Sequence, residues 1–199
     1  MKVTGMQQMS SLISLATVVP MKGHPAQPDE CIMGLPIHVQ GPPGIGKSEL
    51  FEDSARDLGL HCETIFPATL APEDVSGIMV PDGRGNVLRV PMLEAFQVLS
   101  KMERGVIFFD ELTGAKPATQ GALLGFILRR RAGEVVLSPG IRIFTASNPP
   151  ECAAGGWDLE PPMANRFAHF ELPAPGSKEW SHWLLNEGIE RKRDASVKD

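Results

Sequence analysis

Residues 41–48 read Gly41-Pro42-Pro43-Gly44-Ile45-Gly46-Lys47-Ser48. They match G-x-x-x-x-G-K-[ST] at every fixed position, a pattern typical of a loop that cradles phosphate groups. Glycines allow the backbone to curl so that several N–H groups point at one anion. In such a loop the Lys47 ammonium reaches the β- and γ-phosphates, and the Ser48 hydroxyl is a ligand for Mg²⁺. The stretch therefore predicts a site for a nucleotide polyphosphate with Mg²⁺.

The segments around this loop have the alternation that such a site requires. Residues 36–40 form a short apolar strand that stops at Gly41, and residues 49–58 are helical in pattern. Residues 106–109 (Val-Ile-Phe-Phe) are an uninterrupted apolar run, as expected for a strand buried on both faces. Strands alternate with helices as far as residues 168–172, which predicts an α/β fold with a mainly parallel sheet.

Two carboxylates directly follow the predicted buried strand. Asp110 and Glu111 stand at its carboxyl end, where ligands bind in open α/β sheets. We expect Asp110 to hold Mg²⁺, directly or through its waters. Glu111 is placed to polarise an attacking water as a general base. With the phosphate loop, this pair predicts hydrolysis of the bound nucleotide.

Four segments together resemble the AAA+ ATPases, and within them the MoxR-like group. They are GPPGIGKS, VIFFDE with the following LTGAKPATQGALL, FTASNPPE and EPPMANRF. The resemblance implies a P-loop NTPase three-layer α/β/α sandwich with a mainly parallel five-stranded sheet in the order 5-1-4-3-2. It implies ATP and Mg²⁺ as ligands, and a homo-oligomeric ring with active sites at subunit boundaries. MoxR-like proteins often work beside von Willebrand A-domain proteins. The resemblance therefore implies remodelling of a protein client, with a von Willebrand A-domain protein as the implied client class.

Two further residues acquire roles from the resemblance. Asn148 resembles sensor 1, which contacts the γ-phosphate or the water; an amide suits this because it both donates and accepts hydrogen bonds. The alternative is an Asn that caps a turn before two prolines. Arg166 resembles the arginine finger that one subunit donates to its neighbour's nucleotide. The alternative is a surface arginine paired with a nearby acid.

The predicted organisation has three parts. Residues 1–35 form a short amphipathic N-terminal helix followed by a linker loop over residues 18–35, and residues 36–175 form the ATPase core. Residues 176–199 form the start of a truncated helical lid and a charged tail. AAA+ lids carry a second arginine sensor, and no segment here offers one. A second hypothesis therefore stays open: a nucleotide-gated assembly or regulatory module with little turnover.

Composition limits the classes of partner and the cellular compartment that we expect for the protein. The net charge of −5 and the lack of a long basic stripe count against the third hypothesis, a DNA-directed motor, and against nucleic-acid binding in general. No apolar run approaches the roughly 18 residues of a membrane span. Three scattered cysteines fit a reducing cytoplasm. The histidines lack metal-ligand spacing and are expected at the surface or in caps: His24, His38, His61, His169 and His182.

Three other patterns carry expectations. Residues 78–80 and 87–90 flank a Gly-rich turn and predict a hairpin. It sits where AAA+ ATPases often carry pore-facing or partner-contacting insertions, the alternative being a plain solvated hairpin. The arginines at 129–131 are expected to end a helix and complement its dipole, unless one faces a neighbouring nucleotide. Residues 135–137 and 141–145 are predicted strands across a turn at Pro139.

Overall fold

The computed structural model describes residues 5–21, 32–91, 93–152 and 156–186. The helices are α1 (Met6–Val18), α2 (Lys47–Asp57), α3 (Pro72–Ser76), α4 (Glu94–Ser100), α5 (Pro117–Arg129), α6 (Pro161–Ala164) and α7 (Ser177–Asn186). The strands are β1 (Pro20–Met21), β2 (Ile32–Met33), β3 (Ile37–Gln40), β4 (Cys62–Ile65), β5 (Ile78–Pro81), β6 (Val87–Val90), β7 (Arg104–Phe109), β8 (Arg131–Ala132), β9 (Val135–Val136), β10 (Gly140–Ser147) and β11 (Ala168–Glu171). The predicted charged tail lies outside the described residues.

Five strands form one central sheet in the order β11-β3-β10-β7-β4, and every pairing in it is parallel. Counted along the chain these are the fifth, first, fourth, third and second strands of the sheet, so the expected order is confirmed. Because all five strands run the same way, their carboxyl ends meet at one edge. This edge receives Gly41 after β3, Asp110 after β7 and Asn148 after β10.

Each face of the sheet packs against its own set of helices. On one face, Phe51 of α2 lies with its ring centroid 4.5 Å from that of Phe108 and 5.5 Å from that of Phe144. The opposite face packs Ile107 and Phe109 against α4, α5 and α6. The predicted burial of the 106–109 run on both faces is confirmed. The fold is therefore an α/β sandwich in which the apolar run at residues 106–109 of β7 leads directly to Asp110 at the edge of the sheet.

The N-terminal segment packs onto the first of these faces. Met9 and Ile13 of α1 are buried beside α2, as the predicted amphipathic helix requires. The predicted loop at residues 18–35 is wrong in part, because β1 and β2 within it pair antiparallel. The Met33 N–H donates to Pro139 O at 2.9 Å, a partner distant in sequence that local composition does not reveal.

The chain after α5 differs from the prediction. The expected strand at 135–137 does not pair with β10 across Pro139; β9 pairs with β8 in a small hairpin. Gly133 turns this hairpin with φ +56°, in the left-handed region that favours glycine, and an added Cβ would collide with Arg89 O. The segment around Pro139 is thus a connection into the central sheet.

Only one of the three consecutive arginines ends the helix. Arg129 is the last helical residue, whereas Arg130 has φ +50° and is buried. Its Nη2 donates to Ser138 O at 2.8 Å and Ile141 O at 2.6 Å. Burial, with the nearby charge of Arg142, lowers the pKa of Arg130 to about 10. Arg130 therefore ties the hairpin to the sheet and cannot face a neighbouring nucleotide.

Within the described ranges, no helix combines the length and the hydropathy needed to cross a bilayer.

Candidate active site

The phosphate loop depends on glycines at defined backbone positions. Gly44 has φ +76° and Gly46 has φ +84°, a region that side chains rarely tolerate. At Gly41 an added Cβ would lie 2.6 Å from Leu172 O, so the backbone just after β11 leaves no room for a side chain there. Helix α2 begins at Lys47 and directs its positive end at the loop. The loop therefore has the backbone form that the predicted anion cradle requires.

The Lys47 ammonium lies at the mouth of this loop. Its Nζ donates to Gly41 O at 2.7 Å, Pro42 O at 2.9 Å and Asn148 Oδ1 at 2.7 Å. Burial lowers the pKa of Lys47, although the carboxylates of Glu111 and Asp110 act in the opposite direction. The ammonium is thus held beside both carboxylates without a direct ion pair to either.

Two oxygen donors suited to Mg²⁺ lie side by side. Ser48 Oγ donates a hydrogen bond to Asp110 Oδ2, and Asp110 Oδ1 accepts one from Glu111 N at 2.9 Å. Mg²⁺ prefers oxygen ligands and usually takes few from protein, the rest coming from water and phosphate. In the part of the chain that the structure describes, no cluster of three His, Cys, Asp or Glu residues could hold a metal alone. A Ser–Asp pair beside a phosphate loop fits this mode of binding.

Glu111 and Asn148 form the centre of the site. Glu111 is a non-glycine residue with φ +54°, a strained conformation that costs about 1–3 kcal/mol. Its carboxylate accepts hydrogen bonds from Asn148 Nδ2, from Asn148 N at 3.3 Å and from Thr113 Oγ1 at 3.4 Å. The Asn148 amide therefore joins Glu111 to Lys47, its oxygen toward the ammonium and its nitrogen toward the carboxylate.

These residues line one open cleft of about 370 Å³. Its lining is Pro43, Gly44, Gly46, Lys47, Ser48, Glu49, Asp110, Glu111 and Asn148. Of the other predicted site residues, Gly41, Pro42 and Ile45 belong to the phosphate loop without lining the cleft, and Arg166 lies apart from it. Arg166 is exposed on the turn after α6 and does not line the cleft. Among the described residues no acid forms an ion pair with it.

Sequence reasoning missed three polar residues next to the cleft. Thr113 contacts Glu111, and Ser147 precedes Asn148 in β10. The expectation that His38 lies at the surface or in a cap is wrong, because His38 is only 3 % exposed in the central sheet. The signal was the alternation Ile-His-Val-Gln in β3: neighbouring strand residues face opposite sides, so one side of this covered strand had to bury the imidazole.

Comparison with known families agrees with this geometry. The family model for the AAA domain (dynein-related subfamily) matches residues 36–167, a span that includes the phosphate loop, Asp110, Glu111, Asn148 and Arg166. A search of curated proteins found no match to the chain. The match covers more than half of the sequence and ends just before the last strand of the sheet. The chain therefore belongs to the AAA domain family, dynein-related subfamily, a family of ATPase domains.

Proposed function

We propose that this chain binds Mg-ATP and hydrolyses it to remodel or activate a protein partner, as a homo-oligomeric ring of the MoxR-like type in the cytoplasm. One observation carries the proposal. The Asn148 amide connects Lys47, which would contact phosphate, to Glu111, which would accept a proton from water. A phosphate-binding cation and a general base held by one amide are what hydrolysis of a γ-phosphate needs.

Binding would begin with exchange of hydrogen-bond partners at Lys47. Phosphate oxygens would replace the neutral carbonyls that now accept from its Nζ. An anion forms stronger hydrogen bonds with an ammonium than a carbonyl does, so the exchange is favourable. The amino end of α2 contributes its partial positive charge at the same place.

Ser48 and Asp110 would hold Mg²⁺. When bound, Mg²⁺ supplies charge neutralisation at the β- and γ-phosphate oxygens. The hydrogen bond between Ser48 Oγ and Asp110 Oδ2 already keeps the two oxygens adjacent. The Asp110 carboxylate is buried and further ordered by Glu111 N, so little reorganisation is needed.

The hydrolytic step would use Glu111 as the base. The strained backbone at Glu111 and the bonds from Asn148 and Thr113 fix the carboxylate at the cleft. Proton transfer to such a positioned base contributes about 10²–10⁴-fold in rate. Arg166, exposed and without an acidic partner in the described ranges, is free to reach a nucleotide held by a neighbouring subunit.

The β5–β6 hairpin supports a protein partner. It exposes apolar side chains on a two-stranded sheet: Ile78 (42 %), Met79 (66 %), Val80 (39 %), Val87 (60 %) and Leu88 (41 %). A solvated hairpin would expose mainly polar side chains, so an apolar patch of this kind favours contact with another protein. It also argues against a DNA-directed motor, which needs cationic contacts. A von Willebrand A-domain protein is the client class that the MoxR resemblance suggests.

The regulatory alternative also has an observation in its favour. The Glu111 carboxylate accepts three hydrogen bonds in the structure. These bonds occupy three of the roughly four acceptor positions of the carboxylate, which leaves little of it to meet a water. A nucleotide-gated module with little turnover would keep them all.

Mg²⁺-dependent ATP turnover tests the proposal. We expect the chain to release phosphate from ATP with Mg²⁺, to stop when EDTA removes the metal, and to recover when Mg²⁺ is restored. Asp110→Asn should need a higher Mg²⁺ concentration, whereas the control Glu134→Gln, on the exposed β8–β9 turn, should match the wild type. Tight ATP binding with no turnover would favour the regulatory alternative, and turnover that is indifferent to EDTA would contradict the proposal.

A further inference from the structure

A buried histidine lies directly behind the candidate active site. His38, in the middle of β3, has its Nδ1 2.8 Å from Thr145 Oγ1 and its Nε2 3.0 Å from Ser147 Oγ. Its strand neighbours Ile37 and Val39 pack on the face that carries α2, so the imidazole lies on the other face. It therefore bridges two hydroxyls of β10, the strand that ends at the cleft.

The direction of these two hydrogen bonds follows from where each hydroxyl donates its proton. Thr145 Oγ1 donates its single proton to Ile37 O at 3.2 Å, so Nδ1 of His38 is the donor toward Thr145. A neutral imidazole has one donor and one acceptor, so Nε2 accepts from the Ser147 hydroxyl. Burial, with the nearby charge of His169, lowers the pKa of His38 to about 3, and the ring stays neutral at pH 7. The Ser147 hydroxyl is thus committed to His38.

Packing holds the imidazole from its other side. The His169 ring centroid lies 5.2 Å from that of His38, and the Phe167 centroid lies 6.1 Å away. Beyond Ser147 lies a cavity of about 160 Å³, whose lining includes His38, Ser147 and Asn148. The backbone of Ser147 is held by the ladder to β3, where Gly41 N donates to Ser147 O at 3.2 Å. Side-chain packing on the cavity side leaves space, so the hydrogen bond to His38 is the side-chain contact that holds the end of β10 there.

We propose that His38 is a positioning residue for the reaction: through Ser147 it fixes the end of β10, and so holds the Asn148 amide between Lys47 and Glu111. The kinetic part of this inference rests on the proposed function. The geometric part, that His38 sets the position of Asn148, stands by itself. His38 touches no reacting atom; it acts through Ser147 and Asn148.

Two amide substitutions test the roles of the two imidazole nitrogens separately. A Gln side chain carries its amide at the same number of bonds from Cα as Nε2, and an Asn side chain carries its amide at the position of Nδ1. His38→Gln should keep kcat for ATP within about threefold of wild type. His38→Asn and Ser147→Ala should lower kcat by about 10- to 100-fold, the scale of a displaced catalytic group. The Kd for Mg-ATP should change by less than about twofold in all three.

A double variant and a spectroscopic readout complete the test. Because both changes break the same contact, His38→Asn combined with Ser147→Ala should be no slower than the slower single variant. The side-chain amide NMR signal of Asn148, assigned by its loss in Asn148→Asp, should shift in His38→Asn and Ser147→Ala but not in His38→Gln.

Three results would overturn the proposal. The first is an equal loss of kcat in His38→Gln and His38→Asn. The second is a loss of kcat that correlates with the thermal unfolding midpoint of each variant and not with which amide replaces the imidazole. The third is an Asn148 side-chain NMR signal that does not shift in His38→Asn or Ser147→Ala. Ser147→Ala removes only a hydroxyl, so it decides the matter if His38→Asn fails to fold. A wild-type chain without turnover would refute the proposed function, and the NMR comparison would still decide the role of His38.

Discussion

Replacing Lys47 by alanine should abolish tight binding of Mg-ATP. The ammonium makes three hydrogen bonds at the loop mouth, at 2.7–2.9 Å. Phosphate oxygens would take over at least two of these positions, and a hydrogen bond to a charged group contributes about 1.5–3 kcal/mol. Loss of two such bonds removes about 3–6 kcal/mol, which is roughly 10²–10⁴-fold in Kd.

The same substitution should leave the fold intact. Burial lowers the pKa of Lys47, so the folded chain binds this proton less tightly than the unfolded chain does. Wild-type stability therefore rises with pH between the lowered pKa and the ordinary one, because the unfolded state holds more protons there. Lys47→Ala should lose this rise. At pH 7 its free energy of unfolding should lie within about 1 kcal/mol of wild type, since loss of the ammonium's hydrogen bonds is offset by removal of the cost of burying its charge.

Calorimetric titration with Mg-ATP and denaturant unfolding check both expectations. The matched control is Lys101→Ala, an exposed lysine at the end of α4 that lies outside the cleft. We expect the control to bind as wild type does. An affinity of folded Lys47→Ala within about threefold of wild type would refute the assignment of this loop as the phosphate site.

Three further predictions follow from the geometry. Arg166→Ala should bind ATP normally and hydrolyse it about 10³–10⁵-fold more slowly. Mixing it with Lys47→Ala should partly restore activity, because that subunit can lend its intact Arg166 to a neighbour. Mixed oligomers no more active than the sum of their parts would exclude donation of Arg166 between subunits. Because burial lowers the pKa of His38 from 6.5 to about 3, only the unfolded chain takes up this proton as pH falls from about 6.5 toward 3, and the free energy of unfolding should fall with it. Urea unfolding at pH 7 and 4.5 should show a smaller decrease in this free energy for His38→Gln than for wild type. Gly41→Ala should lower the unfolding midpoint and weaken ATP binding, because its Cβ would lie 2.6 Å from a backbone carbonyl oxygen. The control Gly121→Ala, in open space within α5, should stabilise the folded chain by about 0.5–1 kcal/mol. Equal midpoints for the two variants would contradict the reasoning.

The central sheet and the cleft were predictable because their signals are local. An apolar run such as residues 106–109 indicates a buried strand, and a polar residue just after it must lie at the carboxyl edge. Parallel strands then bring Asp110, Glu111 and Asn148 to the phosphate loop. The strand order came from the family resemblance, since strand periodicity carries no information about neighbours.

The features that sequence reasoning missed depend on contacts that helix and strand patterns do not encode. His38 is satisfied by hydroxyls of β10, more than 100 positions away, so the alternation in β3 could indicate that the imidazole is buried but could not identify its partners. Arg130 leaves the helix because its guanidinium donates hydrogen bonds to Ser138 O and Ile141 O. The β8–β9 pairing follows from the turn at Gly133, which local strand propensity does not distinguish from a turn at Pro139.

Single-turnover hydrolysis tests the central claim most directly, because it separates the chemical step from binding and product release. Wild type and Glu111→Gln, each preloaded with radiolabelled ATP at a concentration below that of the protein, are started by adding Mg²⁺. The amide keeps the size and hydrogen bonding of the carboxylate but cannot accept the proton. The account predicts equal ATP occupancy in the two proteins and a rate of phosphate release at least about 10²-fold lower in Glu111→Gln. Equal rates in the two proteins at equal occupancy would contradict it.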